Sequence, residues 1–157
     1  MTSFEDFLRK TQLIVRYEAD QLIQRYISRF IDMDSNYYKE YIATYKKFSD
    51  GWFYIGYLWD CLKNRKMIRE EKAMLRACVN SSVFVFWDLH SSVDMGAQGY
   101  WKKFQRPLVL SLKYGDLPSG RQYLPDDVYI FDETYSWTLV FTHEYISGQQ
   151  RVCYWAT

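Results

Sequence analysis

Two histidines, His90 and His143, are the only imidazoles in this 157-residue chain, and their positions limit the chemistry available to it. His90 lies two residues after Asp88 in the run Val83-Phe84-Val85-Phe86-Trp87-Asp88-Leu89-His90. β-branched and aromatic residues dominate that run, which predicts a strand. Side chains two apart on a strand share a face. His143 falls in a second predicted strand, 137–145. If the two strands are neighbours, Asp88, His90 and His143 gather, with Glu144 as an adjacent carboxylate that alternation turns to the other face. A carboxylate beside two imidazoles can bind a metal or pass a proton. The spacing is generic, and histidines so placed more commonly hydrogen-bond at a sheet edge or in a polar part of the core.

No other catalytic pattern accompanies them. The sequence lacks HExxH, GxSxG and both glycine-rich phosphate-binding patterns. Cys61, Cys78 and Cys153 form no CxxC pair and have no histidine nearby in sequence, which reads as three reduced thiols, mostly buried. No cofactor is expected.

A different chemistry gathers downstream. Asp126, Asp127, Asp132 and Glu133 interleave with Tyr129, Phe131, Tyr135 and Trp137. Turns favour Asp for local backbone bonding. An exposed patch of this composition also suits a basic protein partner, because carboxylates steer the encounter while Tyr and Trp anchor it. Asp126, Asp127, Asp132, Glu133, Tyr135 and Trp137 are therefore the candidate partner-binding residues. Opposite charge clusters at Lys63, Arg65, Lys66, Arg69, Lys72 and Arg76, and a helix over 63–76 would let it follow a phosphate backbone. Glu70 and Glu71 interrupt that run, and a solvated face with i,i+4 pairs accounts for it. The net charge of +1 argues against a general nucleic-acid binder.

These residues depend on the elements that carry them. Ser3 followed by Asp6 predicts a capped helix start. Phe4, Leu8, Thr11, Val15, Ala19, Leu22, Tyr26 and Phe30 then recur at helical spacing, predicting one helix to about residue 31. Further helices are expected over about 35–48, 52–62 and 67–79. From residue 81 the period changes to two. Strands are expected at 83–90 and 108–114, and a three-stranded meander at 128–132, 137–145 and 151–155. Gly96 and Gly99 mark a loop over 91–106. The expected fold is one α+β domain, 1–157, with about four N-terminal helices packed on one side of a mostly antiparallel C-terminal sheet. Hydrophobic residues at 48% and charged residues at 25% fit an ordinary globular chain. Neither a signal peptide nor an apolar run near ~20 residues occurs, so a cytoplasmic protein with no membrane segment is expected.

The stretch Tyr-Ile-Phe-Asp-Glu-Thr-Tyr-Ser-Trp-Thr-Leu-Val-Phe-Thr-His-Glu, 129–144, resembles the closing hairpin of small bacterial single-domain proteins, some of them similar to the immunity proteins of toxin–immunity systems. The resemblance covers this stretch alone. It implies a cytosolic protein that binds and blocks a cognate toxin, commonly a nuclease. Many nuclease immunity proteins are clearly acidic, whereas this chain is near neutral. The leading expectation is thus a non-enzymatic inhibitor of a basic toxin domain. The alternatives are a metal-dependent or acid/base enzyme using Asp88, His90, His143 and Glu144, and a nucleic-acid-binding module using the basic stretch 63–76.

Overall fold

Alternation in the second half of the chain builds the sheet, as a computed structural model shows for residues 3–48, 51–90, 98–101, 103–104 and 107–157. Strands β1 (Gln12–Val15), β4 (Lys66–Ile68), β5 (Ser82–Phe86), β6 (Leu108–Lys113), β7 (Val128–Asp132), β8 (Thr138–Ile146) and β9 (Gln150–Ala156) form one sheet. Strands β2 (Lys46–Phe48) and β3 (Gly51–Phe53) make a separate hairpin. The large sheet has the order β1-β6-β5-β7-β8-β9-β4, with every neighbouring pair antiparallel. The expected meander is present as β7-β8-β9. Its edge strands, β1 and β4, are short and carry Gln12 and Lys66, two features that discourage pairing with a second sheet.

The first half departs from expectation. The helix begins where expected, with Ser3 and Asp6 in a reciprocal capping box, but α1 stops at Arg9 (Phe4–Arg9). The next residues, Gln12-Leu13-Ile14-Val15, pair with Ser111-Leu110-Val109-Leu108. Successive β-branched residues favour extended backbone, and an open sheet edge supplies the missing hydrogen bonds. Arg16 then takes a left-handed φ of 57° and α2 (Arg16–Phe30) resumes the helical stripe.

The other three expected helices shrink or vanish. The second becomes a π turn at Tyr38–Ile42. The third becomes β3 and a 3-10 turn at Leu58–Cys61. The fourth becomes β4 and the single-turn helix α3 (Glu70–Ala73). Among the described residues no continuous basic helix spans 63–76, so the nucleic-acid reading loses the scaffold it required. Two of its cations are engaged elsewhere. Arg65 donates to the Trp59 carbonyl at 2.7 Å and lies 4.5 Å from the Tyr154 ring. Arg76 lies 5.3 Å from the Trp155 ring. The loop read over 91–106 falls mostly outside the described residues, apart from α4 (Gln98–Trp101).

Both faces of the sheet are covered, whereas helices on one side were expected. On one face α2 and the 3-10 turn pack over Phe86, Val109, Tyr129, Phe131, Val140 and Tyr154. On the other, α1, α3, α4 and α5 (Leu117–Gly120) pack over Val83, Val85, Leu110, Ile130 and Leu139. Consecutive residues of β5 and β7 thus supply the two cores alternately, which is why these strands are apolar throughout. Gly120 lets α1 dock closely: a Cβ there would collide with the Phe7 ring. Among the described residues no helix is long and apolar enough to cross a membrane.

Candidate functional site

Strand β5 ends at Phe86, and alternation carries Asp88 onto the α2 face beneath the 3-10 turn. Its carboxylate is fully buried at 0% exposure. It accepts from the Leu58 amide at 3.1 Å and the Tyr129 hydroxyl at 2.6 Å, with Tyr54 as a third donor. These bonds satisfy the first amide of the turn, which has no side-chain cap of its own. Burial pushes the Asp88 carboxyl up to about 8, although the Tyr129 and Leu58 hydrogen bonds oppose that shift. Asp88 was a candidate catalytic residue. Sealed from solvent and fully engaged, it instead anchors the turn.

The two histidines do converge, on either side of one ring. The Tyr57 ring centroid lies 4.8 Å from that of His90 and 5.0 Å from that of His143. Tyr57 in turn stacks on Trp59 at 5.4 Å, and Trp59 on Tyr154 at 6.2 Å. Strict alternation along β8 would have placed His143 with Leu139 and Phe141 on the opposite face. An irregularity prevents this. Phe141 pairs with Cys153 but Tyr145 pairs with Arg151, so residues 142–144 span the stretch that 152 alone covers on β9. Such extra residues re-aim side chains. Thr142 pins the irregularity by donating its hydroxyl to the Val152 carbonyl at 2.8 Å.

His143 meets a partner that the sequence reading had assigned elsewhere. The buried Asp127 carboxylate accepts from the Trp59 indole Nε1 and the His143 amide, each at 3.0 Å. His143 Nδ1 also lies 3.0 Å from both of its oxygens. Arg121 sets the approach to β7 by donating to the Pro125 carbonyl at 2.6 Å and the Asp126 carbonyl at 2.7 Å. Burial pushes that guanidinium down to about 10, with Arg151 adding to the effect. The His143 side chain is 42% exposed. A carboxylate on Nδ1 fixes the ring orientation and leaves Nε2 for a proton or a ligand. Glu144 is exposed, and among the described residues its carboxylate pairs with no cation.

The expected partner-binding residues fall at two separate places. Asp126 and Asp127 precede β7, while Asp132, Glu133, Tyr135 and Trp137 lie at or beyond its far end. Five residues of strand, roughly 17 Å, divide them, so the six do not form one patch. Several are also occupied. Asp126 faces Arg151 at 3.4 Å. Asp132 accepts from the Ser136 amide at 2.7 Å and the Trp137 amide at 3.3 Å, the local turn bonding that Asp supplies. Tyr135 is buried, with a left-handed φ of 56°, and packs 5.1 Å from Phe131 under the Arg25 guanidinium. Trp137 is half-buried and stacks on Trp155 at 4.8 Å. Of the six, Asp126 and Glu133 are both charged and exposed, and Asp126 is paired with Arg151.

A surface that the sequence reading missed is the end of the β8–β9 hairpin. Strand β7 pairs with β8 only as far as Phe141, and β4 reaches β9 only from Cys153. The hairpin end, residues 144–150, therefore extends past both neighbours as a two-stranded arm. Its base is held where His143 bonds to Asp127 and Arg151 faces Glu70 and Asp126. Its tip turns through Ser147 and Gly148, both at positive φ. Tyr145 and Ile146 are 50% and 44% exposed on it. Arg151 stiffens the arm by donating to the Thr142 carbonyl and the Tyr145 hydroxyl, each at 2.7 Å.

Among the described residues no group of three or more His, Cys, Asp or Glu side chains is placed to hold a metal ion, so the metal-dependent alternative has no ligand set there. Two of the three thiols are poor nucleophiles at neutral pH, while Cys78 is exposed. Cys61 and Cys153 are buried, and burial pushes each up to about 12. Comparison with protein-family models, curated proteins and solved structures found no match.

Proposed function

We propose that this protein binds another protein and blocks it, as an inhibitor of the immunity type directed at a basic toxin domain. The projecting β8–β9 arm carries this reading. A hairpin that leaves its sheet with Tyr145 and Ile146 exposed presents aromatic and branched apolar surface of the kind that anchors an interface. Glu144 on the arm, and Glu133 with half-buried Trp137 at the other end of β7, supply acidic and aromatic groups for a basic partner. Occlusion is the mechanism, with the arm laid across the partner's cleft.

The test is affinity capture of the tagged protein from its native cell extract, followed by titration of the captured partner against variants. A stoichiometric basic protein is expected. Tyr145→Ala with Ile146→Asp should weaken it by more than about tenfold, as removal of a central anchor does. Charge reversal at Asp132 and Glu133 reports whether the far turn takes part. No stoichiometric partner, or unchanged affinity in the arm variant, sinks the proposal.

One observation favours a second reading, acid/base chemistry. His143 is oriented by a buried carboxylate and partly open to solvent, as a general base requires. The residues carrying it would be His143 and Asp127, with His90 across Tyr57. Turnover of ester and phosphoester probes should then fall by at least about a hundredfold in His143→Asn. Equal rates in the variant and the parent chain remove this reading.

A further inference from the structure

A cavity of about 210 Å³ opens between α2, the π turn and the segment that follows β3. Its lining is unusual in composition. Tyr38, Tyr45, Tyr54, Trp87 and one phenylalanine supply aromatic rings, and buried isoleucines of α2 supply apolar surface. Asp20 and Gln24, one helical turn apart on α2, are the polar side chains beside them and lie on the same face of the helix. Among the described residues no Lys, Arg or His lines the cavity. Among the described residues the Asp20 carboxylate has no ion pair and no hydrogen bond. Tyr54 is buried and tied to Asp88, so its ring is fixed before any ligand arrives. Tyr45, by contrast, is half exposed, 6.4 Å from Tyr54 between ring centroids.

We propose that this cavity binds a compact organic ammonium ion, its charge held by Asp20 and the tyrosine rings and its apolar body packed on the isoleucines. The reasoning follows from charge and size. Aromatic faces attract cations through the ring quadrupole, more strongly where water is excluded. An unpaired carboxylate at the rim adds attraction of the same sign, and among the described residues the lining has no basic side chain to favour an anion. Cavities of roughly 150 Å³ accept a molecule the size of benzene, so about 210 Å³ suits a trimethylammonium group with a short tail. A neutral apolar ligand of equal shape gains the packing but none of the charge terms. This site is distinct from the arm and from the His143–Asp127 pair, and it requires neither of them.

The proposal is tested by calorimetric titration of the full chain with choline and with its uncharged carbon isostere, dimethylbutanol. Choline should saturate one site and bind about tenfold more tightly than the isostere, the order expected for a partly desolvated cation–π site. Asp20→Asn lies at an exposed position and preserves the fold. It should remove most of the preference, and Tyr45→Ala should remove part of it. Choline that fails to saturate, equal affinity for the two ligands, or a preference intact in both variants overturns the proposal.

Discussion

On the α2 face of the sheet the core is rich in tyrosines, and the hydroxyls of Tyr26 and Tyr129 are already engaged. Tyr26 meets Thr138 at 2.8 Å, and Tyr129 meets Asp88 and the Trp59 amide at 2.6 and 3.1 Å. On the opposite face Val83, Val85, Leu110, Ile130 and Leu139 fill the same depth with aliphatic groups. The aliphatic strand residues are held by area and fit, and volume-conserving apolar swaps among them cost little, while Tyr114 and Trp101 on this face donate to the Ala73 and Tyr123 carbonyls. The tyrosine face holds only if each buried polar group keeps its partner. That requirement makes it less forgiving but more specific, and the 3-10 turn, Tyr57 and His143 are all positioned on this face. The α2 face is therefore the one that defines the candidate site, and the other serves as its foundation.

The comparison can be broken first on the aliphatic side. Leu110 is fully buried. Leu110→Ala should lower stability by about 2–5 kcal/mol, and by the same amount at about pH 5 and about pH 9, when measured by urea unfolding. A pH-dependent loss would mean that the two faces are not separable. The tyrosine face should respond to Asp88. Its carboxyl lies at about 8 in the folded chain against about 3.9 unfolded. Between those values the folded chain retains a proton that the unfolded chain has released. Stability from this group is therefore complete below about pH 4, declines as pH rises, and is gone once pH passes about 8. The slope reaches about 1.4 kcal/mol per pH unit. Asp88→Asn should flatten that slope, and parallel curves for the two proteins would show that Asp88 does not hold the proton. The smallest effect belongs to Tyr26→Phe. It should cost about 0.5–1.5 kcal/mol with no change in pH dependence, because Thr138 keeps its bond to the Ile130 carbonyl at 2.9 Å.

Sequence patterning captured the elements whose signal is local. The Ser3–Asp6 capping box needs four residues, and the meander needs only alternation and turns. It failed where a tertiary partner overrode the local period. Residues 12–15 continue a helical stripe, yet β6 offers them an edge. Residues 66–68 pair with β9 for the same reason. The site was legible in part. His90 and His143 both reach Tyr57, His143 through an irregularity in β8 that alternation alone does not foresee, whereas Asp88 bonds to Leu58 and Tyr129. The Asp127–His143 pair was hidden, because it depends on the register that sets Val128 opposite Phe141. Asp126 and Asp127 were grouped with Asp132 by closeness in sequence, although a strand connecting two residues also separates them.

The order in which the sheet is filled has a consequence for how the chain reaches its native state. Its two edge strands come from residues 12–15 and 66–68, while the five strands between them all lie within residues 82–156. During synthesis the borders emerge from the ribosome before the middle exists. Neither β1 nor β4 has a partner until β6 and β9 have been made, so the pairings of the large sheet wait until residues from 108 onward exist. A chain wired this way depends on long-range pairings and folds slowly for its size. Its early half spends that interval with apolar surface uncovered.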